Sequence, residues 1–447
     1  MRSKSFWISL SVLNLCIVAL LGVILRSKIL FNLPGLDYNH LLKVHSNFAF
    51  GGWVTLALMV LMASELLNES QNSKRIYQFL FWGTLACSWG LLLTLPFAKY
   101  ANYTTYISTS FIFITYIFTW IFIRDIRKAQ VSKTTRLLSI AAVICLVLSS
   151  LATFSLAYLF ATKSLNAVLY RDALYSYLHL QYNGFFSLAV FALLFQKLQS
   201  KLSAEANKNI YRFSVLLVLS IIPSMFLSYH WHDPNTLFHV IAYIGSILLL
   251  LTLGWMMTFL RSMRKAFKSV SPLLRFIGTL SICSFMLKMF LQSFTIINVI
   301  GNPVFGDRPI IIGFLHLVFL GFVTLFLLSY FTQTGILNVK KTITKVSLMI
   351  FTLGIAVNLT LLFVQGIGAM FVISSKVFPW LLWGAGIWLF IGASLIGVSR
   401  LMSMESIAVT VEEKDSTITN YPLEHKFTLQ NAVRDFSSGS NPVAIDI

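Results

Sequence analysis

Apolar stretches recur along the chain, each near the ~20 residues an α-helix needs to cross a hydrocarbon layer. Their predicted bounds are 6–25, 42–64, 77–98, 103–123, 138–162, 173–196, 210–229, 236–260, 274–298, 309–333, 346–367 and 375–400. Inside a bilayer every backbone N–H and C=O has to be satisfied without water, so these runs are expected as helices and their short connections stay at the interface. The expected fold is all-α, a polytopic membrane bundle of about twelve transmembrane helices. Composition agrees: 57% of the residues are apolar and only 11% charged, against about 25% charged in an average soluble domain.

A net charge of +19 would suit a nucleic-acid binder, but the lysines and arginines lie in alternate loops. With the N-terminus inside, the inner loops hold groups such as Lys74 and Arg75, Arg124 to Arg136, Lys197 to Arg212, Arg261 to Arg275, and Lys340 to Lys345. The outer loops hold few: Arg26, Lys28, Lys43, Lys99, Lys163, Arg171, Arg308 and Lys376. Basic residues accumulate on the cytoplasmic side of membrane proteins. The bias therefore places both termini in the cytoplasm of a prokaryotic inner membrane, with the lipid bilayer as the partner and no nucleic acid. Arg2 and Lys4 precede the first run as in a signal peptide, yet no small-residue cleavage site follows before Arg26, so it is read as the first span. Residues 1–402 form the transmembrane domain, and 403–447, polar and holding Glu412, Glu413, Asp415, Glu424, Asp435, Asp446 and His425, are expected as a flexible cytoplasmic tail. Cys16, Cys87, Cys145 and Cys283 lie in apolar runs with no CxxC pair and are read as buried apolar residues.

Polar groups inside hydrocarbon are costly unless they face a partner, a cavity or a cofactor, which directs attention to the histidines. His45, His179, His239 and His316 fall in the first turns of spans two, six, eight and ten, all running inward, so the imidazoles share one depth in the outer third of the membrane. Each has glycine four to six residues on: HSNFAFGGWVTL from His45, HLQYNGFFSLAV from His179, HVIAYIGSILLL from His239 and HLVFLGFVTLFL from His316. Glycines such as Gly51 and Gly321 leave room for a flat macrocycle or for a neighbouring helix. Histidines on facing helices at one depth are how a bundle holds haem iron; a single His–Gly pair is more often an ordinary interfacial histidine.

The loop SYHWHDPNTLFH, from Ser228 to His239, adds His230, His232 and Asp233, ligand types that suit copper, zinc or iron, although exposed loop residues explain H-x-H as well. Lys288 is the one basic residue deep in a span, at roughly 2.5–3.5 kcal/mol on insertion scales. Gln292, one turn on, a cofactor carboxylate, a backbone carbonyl or internal water are its candidate partners. No Asp or Glu lies in the middle of any span, which argues against proton-coupled transport. Ser–His–Asp sets, paired carboxylates and phosphate-binding glycine loops are missing too, so soluble-type catalysis is not expected.

The pattern resembles subunit I of the haem-copper oxidase superfamily, over residues 1 to about 400, through its span count, histidine placement and short local patterns. The resemblance implies a twelve-helix bundle in which His45 and His316 are the axial ligands of a low-spin haem, of b type, with Gly51, Gly321 and Lys288 at the cofactor. His316 before LVFLG matches the second histidine of the family's H-x-H on helix ten. The first position is Phe314, which cannot ligate iron. His179 lies near the family's helix-six copper ligand, with a register open by one residue, and the adjacent histidine pair of helix seven is absent. His230, His232 and His239 would then complete a secondary copper site. The oxygen-reducing centre is thus incomplete, and the NnrS family, associated with the response to nitric oxide, is a second resemblance.

These readings imply a divergent oxidase-like protein with a role in respiration or nitric oxide handling, working with an electron-transfer partner or respiratory subunits. The alternatives are a small-solute transporter or channel, for which Pro96 and Pro223 within spans are modest hints, and a cofactor-free accessory or assembly protein. The orientation has a direct test. A reporter active only in the cytoplasm should be active when fused after Arg127 or Ser403 and silent after Lys163; the reverse pattern would overturn the assigned topology.

Overall fold

The computed structural model describes residues 3–97, 100–232, 234–263, 270–297, 301, 304, 308–371, 373 and 375–419. Asp233 and His425 lie outside the described residues, as do Glu424, Asp435 and Asp446 of the tail. The chain divides into two compact units, Met1–Arg400 and Leu401–Ile447. In the second, residues 401–419 are helical.

Among the described residues, 12 helices are long and apolar enough to cross a membrane. They are α1 Lys4–Leu30, α2 Tyr38–Leu66, α3 Arg75–Thr94, α4 Asn102–Ile126, α5 Lys133–Ala161 and α6 Ala167–Lys201. Then follow α7 Ala204–His232, α8 Thr236–Ser262, α9 Pro272–Phe294, α10 Arg308–Gln333, α11 Thr342–Met370 and α12 Val377–Ser403. The expected count holds, and most helices extend about a turn beyond the apolar runs because their water-facing starts are capped. The side chains of Ser132, Asn166, Ser203 and Asn235 each accept a hydrogen bond from the backbone N–H three residues on, and Pro272 opens α9. Each cap satisfies a donor that the helix leaves unpaired. At its far end α3 stops at Thr94, short of the expected 98: Leu95 keeps helical backbone angles, but Pro96 has no N–H with which to continue the ladder.

Helices α2 and α6 are the most buried and pack against each other, while α6 also meets α10. These three share one irregularity. Each opens into a π-helical segment soon after its histidine: Phe48–Thr55 after His45, Leu180–Phe186 after His179 and Leu317–Thr324 after His316. A π segment adds a residue to the turn, widens it and redirects the side chains that follow, and such segments are frequent at functional sites. The glycines noted in the sequence sit inside these widened turns. In α8 the stretch after His239 is ordinary α-helix.

Below the histidines, toward the N-terminal end of the bundle, Phe191 and Phe195 of α6, Phe213 of α7, Phe259 of α8, Phe285 of α9 and Phe322 of α10 form a continuous aromatic core with edge and tilted contacts. Such pairs contribute about 0.5–1.5 kcal/mol each beyond the area they bury. The N-terminal end is tied by ionic contacts. Lys4 pairs with Glu65 at 2.6 Å, Tyr330 donates to the same carboxylate, and Lys74 and Tyr77 both donate to buried Asp125. Arg400 joins α12 to α1 and to the α10–α11 turn through Ser9, Ser5 and the Ile336 carbonyl. Of the cysteines, Cys87 and Cys145 are buried and Cys16 partly so, as expected. Cys283 is exposed instead, on the outer side of α9, where an apolar thiol suits lipid.

One tight helix crossing, backbone against backbone, rests on Gly245 of α8. A methyl group there would lie 2.5 Å from the Pro223 carbonyl carbon and 2.6 Å from the Ser224 nitrogen, both backbone atoms of α7. Backbone cannot rotate away, so Gly245→Ala should cost at least about 1–3 kcal/mol and lower the thermal unfolding midpoint in detergent. Gly254→Ala, with nothing within 4 Å, should leave the midpoint unchanged. Equal midpoints in both variants would refute the assigned α7–α8 packing.

Candidate functional site

Two histidine centres lie at the level where α2, α6 and α10 widen, and they differ in what their rings do. At the first, His45 of α2 and His316 of α10 lie deep in the protein and close enough to interact electrostatically, yet both retain accessible surface. The Nδ1–H of His316 donates to the Ile312 carbonyl at 2.8 Å, and no hydrogen bond is formed by its Nε2 among the described residues. The His45 ring is drawn to the Val18 carbonyl, and its Nδ1 is buried with no hydrogen-bond partner. A buried polar atom left unpaired costs about 1–3 kcal/mol. The His316 imidazole is thus oriented through one nitrogen by a backbone carbonyl and keeps a lone pair on the other, the arrangement that second-shell contacts impose on metal-binding histidines.

The surroundings of the pair are closely packed. Gly22 of α1 faces the His45 ring, where a methyl would sit 3.5 Å from Cε1. Arg26, one turn further along α1, acts electrostatically on both rings; the sequence placed it only among loop cations, and its i+4 spacing from Gly22 was the available signal. Gly51 and Gly321 serve close helix packing: a methyl at Gly51 would meet Ser88 Oγ at 3.0 Å and Phe111 at 3.2 Å, and one at Gly321 would meet Ser284 Oγ at 2.6 Å. Phe50, Phe186 and Phe319, one from each π segment, pack together.

At the second centre, the His179 ring is 1% exposed and spends both nitrogens inside the protein. Nε2–H donates to the Ile221 carbonyl at 2.8 Å, and Nδ1 accepts from Asn183 Nδ2 at 2.9 Å. Asn183 also accepts a hydrogen bond from Lys288 Nζ through its Oδ1, and its Nδ2 reaches Gln292 Oε1 at 3.4 Å. Lys288 is 2% exposed, lies over the rings of Phe285 and Tyr182, and has Met289 Sδ at 3.6 Å. Snorkelling to the interface does not occur. Gln292 was one of its candidate partners; the direct acceptor is Asn183, whose place four residues after His179 put it on the same helical face. Ligation of a metal by His179 would require breaking one of its two hydrogen bonds.

The loop histidines form a third group nearer the end of the bundle. His239 Nδ1 and His230 Nε2 lie 2.9 Å apart, and His230 Nδ1 is turned to the Phe226 carbonyl at 3.3 Å. His232 is separate, its Nε2 2.9 Å from Asp172 Oδ2, which also leaves Asp172 Oδ1 to accept from Trp231 Nε1. No cluster of three or more His, Cys, Asp or Glu placed to hold a metal occurs among the described residues. The expected set of His179, His230, His232 and His239 is thus divided into one lone ring, one pair and one ion-paired ring.

The polar network at His179 has a measurable consequence. Asn183→Leu removes the one side-chain oxygen that accepts from Lys288 and should lower stability by about 1.5–3 kcal/mol, the range for hydrogen bonds to charged groups. Lys288→Met in the same chain should restore most of the loss, because no buried ammonium then remains unpaired. Equal and additive losses in thermal unfolding would show that the two side chains do not act together.

No protein-family model matches the chain, and no curated protein matches it. Its backbone is similar to that of a solved haem-copper terminal oxidase, a dimer studied by cryo-electron microscopy, with a TM-score of 0.63 over 90% of this chain and 84% of that one, at 13% identity. At that identity the likeness concerns the fold. This chain is a multi-pass membrane protein built on the twelve-helix fold of a haem-copper oxidase membrane subunit.

Proposed function

We propose that the protein binds a b-type haem between α2 and α10, with His45 and His316 as axial ligands, and serves electron transfer in respiration or in nitric oxide handling. The observation that carries this reading is the pair itself: two neighbouring imidazoles on α2 and α10, His316 held by a backbone carbonyl through Nδ1 with its Nε2 uncommitted, and His45 with a buried Nδ1 that has no hydrogen-bond partner. An unsatisfied buried nitrogen is uncommon in a folded protein and calls for an explanation such as a missing ligand. When bound, such a haem supplies one-electron redox chemistry, and with both axial positions filled by protein it has no open site for substrate. Phe314 stands where the family places a further iron ligand, so the reading stops short of oxygen reduction.

The remaining assignments follow from it. The chain resides in the cytoplasmic membrane of a prokaryote with both termini inside and residues 403–447 as a tail, and its partners are an electron donor or respiratory subunits. Copper, if held, belongs at His230 and His239, whose nitrogens at 2.9 Å match the cis spacing of two imidazoles on one ion with metal–nitrogen bonds of about 2.0–2.1 Å. A cofactor-free accessory role is the second reading. It is favoured by Gly51 and Gly321, whose open side is occupied by neighbouring side chains rather than by space.

A reduced-minus-oxidised absorption spectrum of protein produced with ample haem, with iron and copper quantified, separates these readings. Wild type should give sharp low-spin bands and about one iron per chain; His45→Ala and His316→Ala should each lose the low-spin spectrum. If both variants keep a full bis-histidine spectrum, or wild type is colourless and free of iron, the haem assignment fails. Copper that survives His230→Ala together with His239→Ala would exclude that pair as its site.

A further inference from the structure

We propose that the cavity beside His179 binds a small, weakly hydrated monovalent anion, held there by the charge of Lys288. The cavity has a volume of about 50 Å³, room for a small ion, and is lined by His179, Tyr182 and Gln292 together with Phe314, Tyr175 and Thr295. It is a mostly apolar chamber with a few convergent polar groups, the usual composition of a small-molecule site. Lys288 stands one side chain behind this wall, since its ammonium donates to Asn183, and Asn183 bonds His179 and approaches Gln292, both of which line the chamber.

Charge balance supplies the argument. The chain has 15 acidic residues, none in the middle of a span, and among the described residues Lys288 forms no salt bridge. Its contacts are an amide oxygen, a thioether and two aromatic faces, which solvate an ammonium without neutralising it. A buried charge without a counter-charge is strongly disfavoured at bilayer depth. An anion in the adjacent chamber supplies that counter-charge. The apolar lining selects among anions, because the cost of leaving water falls for large ions with delocalised charge and is greatest for small or multivalent ones. Thiocyanate, nitrate and nitrite fit that class; fluoride and sulfate do not. The inference does not depend on haem at His45 and His316, since neither histidine lines this chamber.

Thermal unfolding of the purified full-length protein in detergent, at constant ionic strength in gluconate, tests the site. Sodium thiocyanate and sodium nitrate should raise the unfolding midpoint with saturation, and sodium fluoride should not. Lys288→Met should weaken the apparent affinity at least tenfold. Phe314→Trp, which fills the chamber and leaves Lys288 in place, should do the same and decides the matter if the lysine variant does not fold. Isothermal titration with thiocyanate gives an independent reading. A response that is absent, unsaturable, equal for fluoride, or unchanged in the folded variants would overturn the proposal.

Discussion

Every polar group that this chain carries into hydrocarbon has to find its partner within the protein, because no water is at hand to replace a missing one. The link from Lys288 to Asn183, and from Asn183 to His179 and on to the Ile221 carbonyl, shows how that requirement organises the interior. It joins α9, α6 and α7 at one level and sets the rotation of each about its axis. The same rule makes exceptions informative. Where a ring nitrogen such as His45 Nδ1 is buried and unpaired, the structure holds a cost that a ligand would remove.

The widened turns of α2, α6 and α10 connect this requirement to packing. A π segment after each histidine displaces the following side chains, and its glycine lets a neighbouring helix come close: Ser88 at Gly51, Cys145 at Gly184 and Ser284 at Gly321. Small residues at helix contacts are the general route to association in a membrane, where apolar lipid removes the hydrophobic driving force between helices. The three segments therefore serve as a common central seam, with the histidines above it and the phenylalanine core below. Two uses of histidine follow from one local pattern. At His316 a backbone carbonyl takes one nitrogen and leaves the other; at His179 the second nitrogen is taken by Asn183.

The apolar runs alone contained the helix count and rough bounds, since hydrophobic length is a property of composition over about twenty residues and owes little to context. Depth matching of His45, His179 and His316 was also legible, because helices that run in the same direction put residues at equal distance from their starts at equal depth. The partners were not. Asn183 was visible as a residue four after His179, but that it would accept from Lys288, more than a hundred residues away, depends on how α6 and α9 are placed side by side. The role of Gly51 and Gly321 was left open between a macrocycle and a helix, and the packing of Ser88 and Ser284 answers for the helix at those atoms. Cys283 reads as buried in a sequence where outward and inward faces are equally apolar, and the structure turns it outward.

What the sequence by itself determined is thus the solvent, the number of helices and the depth of each unusual side chain, all of which follow from one-dimensional spacing along a helix with a fixed rise of 1.5 Å per residue. What only the tertiary structure decided is azimuth: which way each of those side chains faces, and so which of the histidines meet. His45 comes near His316, His230 meets His239, and His179 meets Asn183, because helix packing fixes the rotation of each helix by contacts among residues far apart in the chain. Hydropathy carries little of that information in a membrane, where the lipid-facing and protein-facing sides of a helix are both apolar.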